Sequence, residues 1–259
     1  MSMIEHISDV LRRAEETRSP VGPVSGLVPG GLTLDMAHAI CEANVRKRLD
    51  AGEQLVGYKI GSTNNEVRLA MGLPGPTYGY LFDNMVLPSG GESPMYGLIE
   101  PRIESEICFR LSRGLEGPSL TIDEVLDATD AVSASFEICD SRISHWTCPY
   151  ADWLADNGFA ARIVLPGRWI AVRDVDLLGE AAVLKRESVG IAEGSGAMVM
   201  GHPAMAVAWL AGKLHERGKR LAAGMLVMTG TLTPVTAMEA NVTYSASFST
   251  LGEVEKTFV

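Results

Sequence analysis

The stretch PRIESEICFRL, residues Pro101 to Leu111, decides the fold of this chain and the place of its chemistry. Its odd-numbered positions are mostly apolar and its even-numbered positions mostly polar, which is typical of a β-strand because successive side chains point to opposite faces. On such a strand Glu104 and Glu106 share one face. Two adjacent carboxylates raise each other's pKa unless a cation lies between them, so a divalent metal ion is the expected partner. Hard oxygen ligands favour Mg²⁺ or Mn²⁺.

A second apolar stretch, AVSASFEIC from Ala131 to Cys139, contains a single acidic residue, Glu137. A carboxylate within an apolar strand must be paired or coordinated if it is buried. Glu104, Glu106 and Glu137 are therefore the candidate metal ligands. The alternative is that Glu104 and Glu106 lie on a solvated outer face of the sheet, which is the more frequent outcome for such a pair.

The composition describes an ordinary globular chain of 259 residues, with 46% hydrophobic and 21% charged residues. The formal net charge of −10 disfavours partners such as nucleic acid and anionic membranes. The most apolar stretch, residues 197–211, contains His202 and Pro203 and is shorter than the ~20 residues that span a bilayer. The four cysteines form no CxxC pair and no cluster with histidine, which disfavours a zinc ribbon or a disulfide framework and favours the cytoplasm.

Apolar residues at helical spacing predict two helices within an N-terminal helical segment, residues 1–53. Strand patterns dominate residues 54–259, with one helix expected from about Pro203 to Arg217. We therefore expect a single catalytic domain of α+β class over residues 1–259. Its β-rich metal-binding core would be a mixed roll or sandwich on which the N-terminal helices pack.

Two short stretches match the capping box, in which a Thr hydroxyl and a Glu carboxylate satisfy free amides at a helix start. They are Thr63–Glu66 and Thr121–Glu124, and each predicts a short helix. The alternation from Val242 to Phe248 predicts a strand with one wet face.

Lys59 lies among apolar residues and glycines in GYKIG, where it is a candidate acid/base or carboxylate-binding group. The alternative is an ordinary strand lysine that points to water. Thr229-Gly230-Thr231 ends an apolar strand and offers hydroxyls and a close backbone approach for an anion, although a plain turn has the same pattern. The sequence contains none of the glycine-rich signatures of dinucleotide-binding proteins, P-loop NTPases or serine hydrolases.

Taken in order, six segments resemble the 2-keto-4-pentenoate hydratase and 4-oxalocrotonate decarboxylase family, which belongs to the fumarylacetoacetate hydrolase superfamily. The segments, spread from about Val56 to Phe258, are GYKIGST, YGYLFDNM, EPRIESEICF, FEICDSRI, GSGAMVMGHPAMAVAWLA and MTGTLTPV. The resemblance implies a mixed β-roll core, a Mg²⁺ or Mn²⁺ site and a homo-oligomer.

The resemblance also implies a role for particular residues. The family's metal ligands fall on Glu104, Glu106 and Glu137, and its active-site lysine falls on Lys59. The residues expected to bind substrate are Thr229, Gly230, Thr231, Tyr78 and Phe159.

The activity implied is that of a metal-dependent lyase, a hydratase that converts a 2-hydroxy-2,4-dienoate to a 4-hydroxy-2-oxo acid through a metal-bound enolate, as in the meta-cleavage degradation of aromatic compounds. The alternative is a decarboxylase of a 2-oxo-enedioate at the same site. The two differ in whether a second cation, for which Arg142 and Arg162 are candidates, must hold a distal carboxylate. A scaffold without catalysis is disfavoured by the retention of all three carboxylates and Lys59.

Two positions depart from the pattern of many hydratases in the family. Thr77 stands where an acidic residue is usual, and the stretch Asp156–Phe159 reads DNGF where DNAS is usual. The departures remove a carboxylate and a hydroxyl that could guide water to C4, and Phe159 makes the pocket more apolar. They fit a decarboxylase, a hydratase with a bulkier substrate, or an enzyme acting on another 2-oxo acid.

Overall fold

The strand and helix patterns of the sequence become six helices and fourteen strands in the computed structural model, which describes residues 1–259. The helices are α1 (Met3–Thr17), α2 (Leu34–Asp50), α3 (Asn65–Ala70), α4 (Ile122–Asp127), α5 (Tyr150–Ala155) and α6 (Pro203–His215). The strands are β1 (Leu55–Gly61), β2 (Thr77–Phe82), β3 (Val86–Pro88), β4 (Glu92–Ser93), β5 (Arg102–Leu111), β6 (Thr129–Cys139), β7 (Ala160–Leu165), β8 (Ile170–Ala171), β9 (Ala181–Arg186), β10 (Val189–Ser195), β11 (Leu226–Thr231), β12 (Thr236–Ala237), β13 (Val242–Phe248) and β14 (Gly252–Phe258). The predicted α+β class is confirmed.

The strands form two mixed sheets. The larger sheet has the order β2-β1-β11-β5-β6-β7-β3, with β12 beside β5 and β8 beside β6, and the smaller has the order β10-β9-β13-β14-β4. Strands β5 and β6 are antiparallel neighbours at the centre of the larger sheet, and the main hydrophobic core packs around them. The two stretches that the sequence marked as chemically important therefore lie side by side.

The two N-terminal helices begin at the expected kind of residue. The Ser2 hydroxyl accepts a hydrogen bond from the Glu5 amide at the start of α1, and the Thr33 hydroxyl caps α2 in the same way. Both helices contribute to a second, smaller apolar cluster that also contains Ile143 and Leu154 from later in the chain. The division at residue 53 into a helical segment and a core stays a prediction.

One of the two predicted capping boxes forms. Thr121 and Glu124 make the reciprocal bonds at the start of α4. The prediction for Thr63 was wrong, because Asn64 caps α3 by accepting a hydrogen bond from the Val67 amide, while Thr63 is buried in a tertiary contact. A local pattern could not show that contact, since Thr63 packs against a residue far away in the sequence.

The predicted helix from Pro203 and the predicted strand from Val242 both form, but the polar face of that strand is not wet, because Ser245 is buried. Helix α6 starts with Pro203 in its first turn and ends two residues before the expected Arg217. Strand β13 buries Tyr244, Ala246 and Phe248, as the alternation predicted. None of the six helices combines the length and hydropathy of a segment that crosses a bilayer.

Candidate metal and catalytic site

The three predicted carboxylate ligands lie together on one face of the larger sheet. Glu104 stands directly opposite Glu137 in the β5–β6 ladder, and Glu106 is two residues further along β5 on the same face. Glu104 is 8% exposed, and Glu106 and Glu137 are fully buried. The alternative of a solvated outer face is therefore wrong.

These carboxylates have far fewer hydrogen bonds than buried anions normally require. The Gly230 amide donates to Oε2 of Glu106 at 2.9 Å, but Oε1 of Glu106 and both oxygens of Glu137 accept no hydrogen bond. Burying an ionised carboxylate without a partner costs several kcal/mol, on the order of the charged-group penalties measured in proteins. The oxygen-rich donor set and its orphaned oxygens fit a divalent cation among the three side chains.

Lys59 is the one cation that forms an ion pair with this group. Its Nζ lies 3.0 Å from Oε1 of Glu137, close enough for an ion pair although off the direction of a hydrogen bond. The lysine is 2% exposed, so the alternative of a strand lysine that points to water is wrong. One ammonium cannot balance three carboxylates, and the site therefore carries an excess of negative charge when all of them are ionised.

The excess negative charge appears in the pKa values. Burial, followed by repulsion from Glu137, raises the pKa of Glu104 to about 7. The same two causes raise the pKa of Glu106 well above its ordinary value of 4.5. Burial lowers the pKa of Lys59, but its electrostatic interactions with Cys139 and with the three carboxylates outweigh burial and raise this pKa above its usual value. The metal-free site therefore contains a charged lysine and holds carboxyl protons up to neutral pH.

We expect Mg²⁺ to stabilise the chain more strongly as the pH rises. Between the ordinary pKa of 4.5 and the value of about 7 for Glu104, the folded metal-free chain binds more protons than the unfolded chain, so its free energy of unfolding falls with rising pH. Mg²⁺ must displace these protons to bind. The rise in melting temperature on adding Mg²⁺ should be larger at about pH 8 than at about pH 6. An equal or larger rise at the lower pH would contradict the assigned carboxyl protons.

Thr77 lies beside Lys59 on the same sheet face. Lys59 stands opposite Gly79, and Thr77 stands opposite Gly61, in the antiparallel β1–β2 pair. A Cβ placed on Gly61 would lie 2.9 Å from Oγ1 of Thr77 and 3.3 Å from Nζ of Lys59. The departure from the acidic residue of many hydratases therefore leaves a hydroxyl near the lysine.

The Thr229-Gly230-Thr231 segment contacts the carboxylates through its backbone. Gly230 has a φ of +111°, and a Cβ there would lie 2.1 Å from Oγ1 of Thr63, so only glycine fits. The hydroxyl of Thr229 donates to the Ile107 carbonyl at 2.9 Å, and that of Thr231 donates to the Thr233 carbonyl at 2.6 Å. The observed contact to the site is the Gly230 amide on Glu106. Binding of a substrate carboxylate by this segment stays a prediction.

Tyr78 is not brought to the carboxylates. It stands opposite Ile60, one position out of phase with Lys59, so its side chain lies on the other face of the β1–β2 pair. There it stacks on His38, with ring centroids 5.5 Å apart, and meets Trp209 edge-on. The pairing of β1 and β2 thus turns Tyr78 away from the carboxylate face, and its contact with substrate stays a prediction.

Phe159 belongs to an aromatic group beside the carboxylate face. Its ring contacts Trp146 at 5.0 Å and Trp153 at 5.3 Å between centroids. Trp146 in turn carries the guanidinium of Arg102, which shares the face of Glu104. Both Phe159 and Trp146 have left-handed backbones, with φ of 64° and 54°. Such conformations in bulky residues often mark functional sites, where surrounding contacts compensate the strain.

Arg102 and Trp146 were missed by the sequence reasoning. The strand alternation that selected Glu104 and Glu106 also places Arg102 on their face, so Arg102 could have been predicted from the sequence. Trp146 had no such signal, because it comes from a loop after β6 and reaches Arg102 only through the fold.

The two arginines proposed as partners of a distal carboxylate are used elsewhere. The guanidinium of Arg142 donates to Asp156 and to the Ala160 carbonyl, in a buried ion pair. Arg162 stands opposite Ile138 and thus on the sheet face away from Glu137. Neither candidate therefore supplies a cation to the carboxylate face, because Arg142 is held in its ion pair with Asp156 and strand register turns Arg162 away.

Asp140, which follows the Glu137 strand, orders the chain that leads into β5. Its two carboxylate oxygens accept hydrogen bonds from the amides of Ile99 and Glu100, each at 2.8 Å. Glu100 itself is exposed. Asp140 thus supports the segment that positions Glu104.

Comparison with known proteins shows that the chain is similar to hydratases of small unsaturated 2-oxo and 2-hydroxy acids. No family model matches it. It is 37% identical to 2-keto-4-pentenoate hydratase of Burkholderia vietnamiensis over 248 residues. This alignment covers 96% of this chain and 94% of that protein. It is 36% identical over 218 residues to 2-hydroxypent-2,4-dienoate hydratase of Pseudomonas putida, covering 84% and 98% of the two chains.

Among solved structures, 4-oxalocrotonate decarboxylase of Pseudomonas putida G7, complexed with magnesium and adipate, matches with a TM-score of 0.95 and 30% identity over 99% of this chain and 97% of that one. The same decarboxylase complexed with calcium and acetate matches at 0.94, again at 30% identity over 99% and 97% of the chains. Fumarylpyruvate hydrolase of Pseudomonas aeruginosa shares the fold at 17% identity and a TM-score of 0.61, over 78% of this chain and 88% of that one.

Proposed function

Because the chain belongs to the 2-keto-4-pentenoate hydratase and 4-oxalocrotonate decarboxylase family of the fumarylacetoacetate hydrolase superfamily, we propose that it is a metal-dependent hydratase. Its substrate is a 2-hydroxy-2,4-dienoate, and its product is a 4-hydroxy-2-oxo acid. The observation that carries the proposal is the meeting of Glu104, Glu106, Glu137 and Lys59 on one buried sheet face.

Glu104, Glu106 and Glu137 would hold a Mg²⁺ or Mn²⁺ ion. The magnesium and calcium of the decarboxylase complexes support a hard divalent cation, and an all-carboxylate set suits Mg²⁺ and Mn²⁺ alike. When bound, the ion would supply positive charge for the negative charge that develops on the C2 oxygen of the substrate.

Lys59 is the proton carrier of the proposed reaction. The enol of the substrate ketonises with protonation at C5, water then adds at C4, and C3 takes up a proton. The charged Nζ of Lys59 holds a proton beside the carboxylates and can donate it to carbon and accept it back. The hydroxyl of Thr77, which lies on the same side of the sheet as Lys59, would orient the added water.

Decarboxylation of a 2-oxo-enedioate is the second candidate. It is supported by the TM-score of 0.95 to the decarboxylase and by Arg102, a cation on the carboxylate face that forms no ion pair. The first candidate is preferred because the hydratases share the higher identity, 37% against 30%.

Incubation with 2-hydroxypenta-2,4-dienoate and with 2-oxohex-3-enedioate tests the two candidates. Product mass is followed with Mg²⁺, with Mn²⁺ and with a chelator as control. A metal-dependent gain of one water on the first substrate supports the hydratase, and loss of one carbon dioxide from the second supports the decarboxylase. Binding of Mg²⁺ without reaction of either substrate would overturn both and direct attention to Thr77 and Phe159.

We further propose a homo-oligomer that acts in the cytoplasm. The four cysteines are all free thiols, which suits a reducing compartment.

A further inference from the structure

Cys139 is the last residue of β6 and follows Glu137 by two positions. Period two places both side chains on the same face, and Cys139 stands opposite Arg102 in the β5–β6 ladder. The thiol is 4% exposed. The proposed reaction gives it no part.

The sulfur lies within reach of the carboxylates. Sγ of Cys139 and one carboxylate oxygen from each of Glu104 and Glu137 all lie within 4.8 Å of one another. Nζ of Lys59 lies 3.8 Å from the sulfur. The sulfur and the two carboxylate oxygens are therefore close enough for a single cation to bind all three, with the ammonium of Lys59 beside them.

Glu137 supplies an independent sign that a ligand belongs there. Its side chain is fully buried, its Oε1 pairs only with the ammonium of Lys59 at 3.0 Å, and its Oε2 has no partner. A buried carboxylate oxygen without a partner is costly, so a cation beside Oε2 would stabilise this side chain. The sulfur of Cys139 therefore lies beside the position where the carboxylates would bind a cation.

We propose that Cys139, Glu104 and Glu137 form a mixed sulfur and oxygen site for thiophilic divalent cations such as Co²⁺, Zn²⁺ and Cd²⁺. The inference rests on the proposed function only in that it places the cation in the same carboxylate group. Soft thiolate favours these ions, whereas Mg²⁺ and Mn²⁺ prefer carboxylate oxygens. On coordination the thiol releases its proton to solvent and binds as thiolate.

The two sets of ligands share Glu104 and Glu137 and differ in the third member. Glu106 completes the oxygen set and Cys139 completes the mixed set. The chain would then take up Co²⁺, Zn²⁺ or Cd²⁺ in competition with Mg²⁺. Loss of the thiolate should weaken Cd²⁺ binding by more than the about 10- to 100-fold that loss of an outer partner of a metal ligand costs, and it should leave Mg²⁺ affinity unchanged.

Spectroscopic titration of the metal-free full chain with Co²⁺ tests the proposal. The variants are Cys139→Ser, which replaces sulfur by oxygen at nearly the same size, and Cys148→Ser as a matched thiol control outside the site. We expect a near-ultraviolet sulfur-to-cobalt charge-transfer band in the wild type and in Cys148→Ser. The Cys139→Ser variant should lose that band and keep the visible ligand-field bands of bound cobalt.

Visible cobalt bands without a charge-transfer band in the wild type would overturn the proposal, whatever the folding of the variant. So would a charge-transfer band that survives in Cys139→Ser. Both outcomes leave the carboxylate site of the proposed function standing. Failure of the wild type to bind Co²⁺, Cd²⁺ and Mg²⁺ in calorimetric titration would instead overturn the carboxylate site itself.

Discussion

Replacing Glu106 by glutamine is expected to abolish tight Mg²⁺ binding and turnover while the fold remains intact. The substitution keeps the shape of the side chain and an oxygen that can accept the Gly230 amide. It removes one of three negative charges that would hold the ion. Because even an outer partner of a metal ligand is worth about 10- to 100-fold in affinity, loss of a ligand should cost at least about a hundredfold.

The same substitution should also change the thermal stability of the metal-free chain. The raised pKa of Glu106 comes from burial and from repulsion by Glu137 and Glu104, so the ionised form is destabilising. At about pH 8 the melting temperature of metal-free Glu106→Gln should therefore equal or exceed that of the wild type, whereas added Mg²⁺ should no longer raise it.

Calorimetric Mg²⁺ titration and thermal melting of wild type and variant measure both effects. Glu193→Gln on β10 is the matched control, because Glu193 is exposed and should leave Mg²⁺ binding and turnover unchanged. A Glu106→Gln variant that binds Mg²⁺ normally and turns over substrate would contradict the assigned ligand set.

Replacing Lys59 by methionine should separate binding from chemistry. The variant keeps all three carboxylates and loses the only ammonium among them, so Mg²⁺ should bind at least as tightly as in the wild type. Removal of the proton carrier should lower kcat by about 10²- to 10⁴-fold, the usual contribution of a general acid or base. Without metal, the variant should be less stable than the wild type, because the carboxylates lose their counter-charge.

Steady-state kinetics with Mg²⁺, together with Mg²⁺ titration, gives the two readouts. Lys256→Met is the control, since Lys256 is also buried but donates to the carbonyls of Pro88 and Gly90. That variant should be less stable yet active once folded. Full activity of Lys59→Met would show that Lys59 has only a structural part.

Several features of the site follow from strand periodicity alone. Glu104, Glu106 and Arg102 share a face because alternate residues of any strand do so, and this holds wherever the strand is placed in a sheet. The correct predictions of α6 and of the capping box at Thr121 likewise come from local patterns, namely the residues at helix ends. Such predictions depend only on neighbours within a few residues.

Other features of the site depend on a distant part of the chain. Tyr78 was expected to bind substrate, and its pairing opposite Ile60 turns it to the face away from the carboxylates. Thr63 was expected to cap a helix, but Gly230 packs against it. Arg162 was proposed as a pocket cation, and its register with Ile138 takes it away. A shift of one residue in the pairing of Tyr78 or of Arg162 would reverse the face of that side chain, which no single-strand pattern can reveal.

The sequence by itself determined the class of fold, the carboxylate candidates and the family resemblance, because these depend on local alternation and on residues that stand in order along the chain. Only the tertiary structure decided that Glu137 faces Glu104, that Lys59 reaches Glu137, and that Cys139 joins them. The physical reason is strand pairing over long sequence separations. Strand β11 lies between β1 and β5, and β5 pairs with β6, so the charged side chains of β1, β5 and β6 are buried together. Burial then gives those side chains their altered pKa values and their need for a cation.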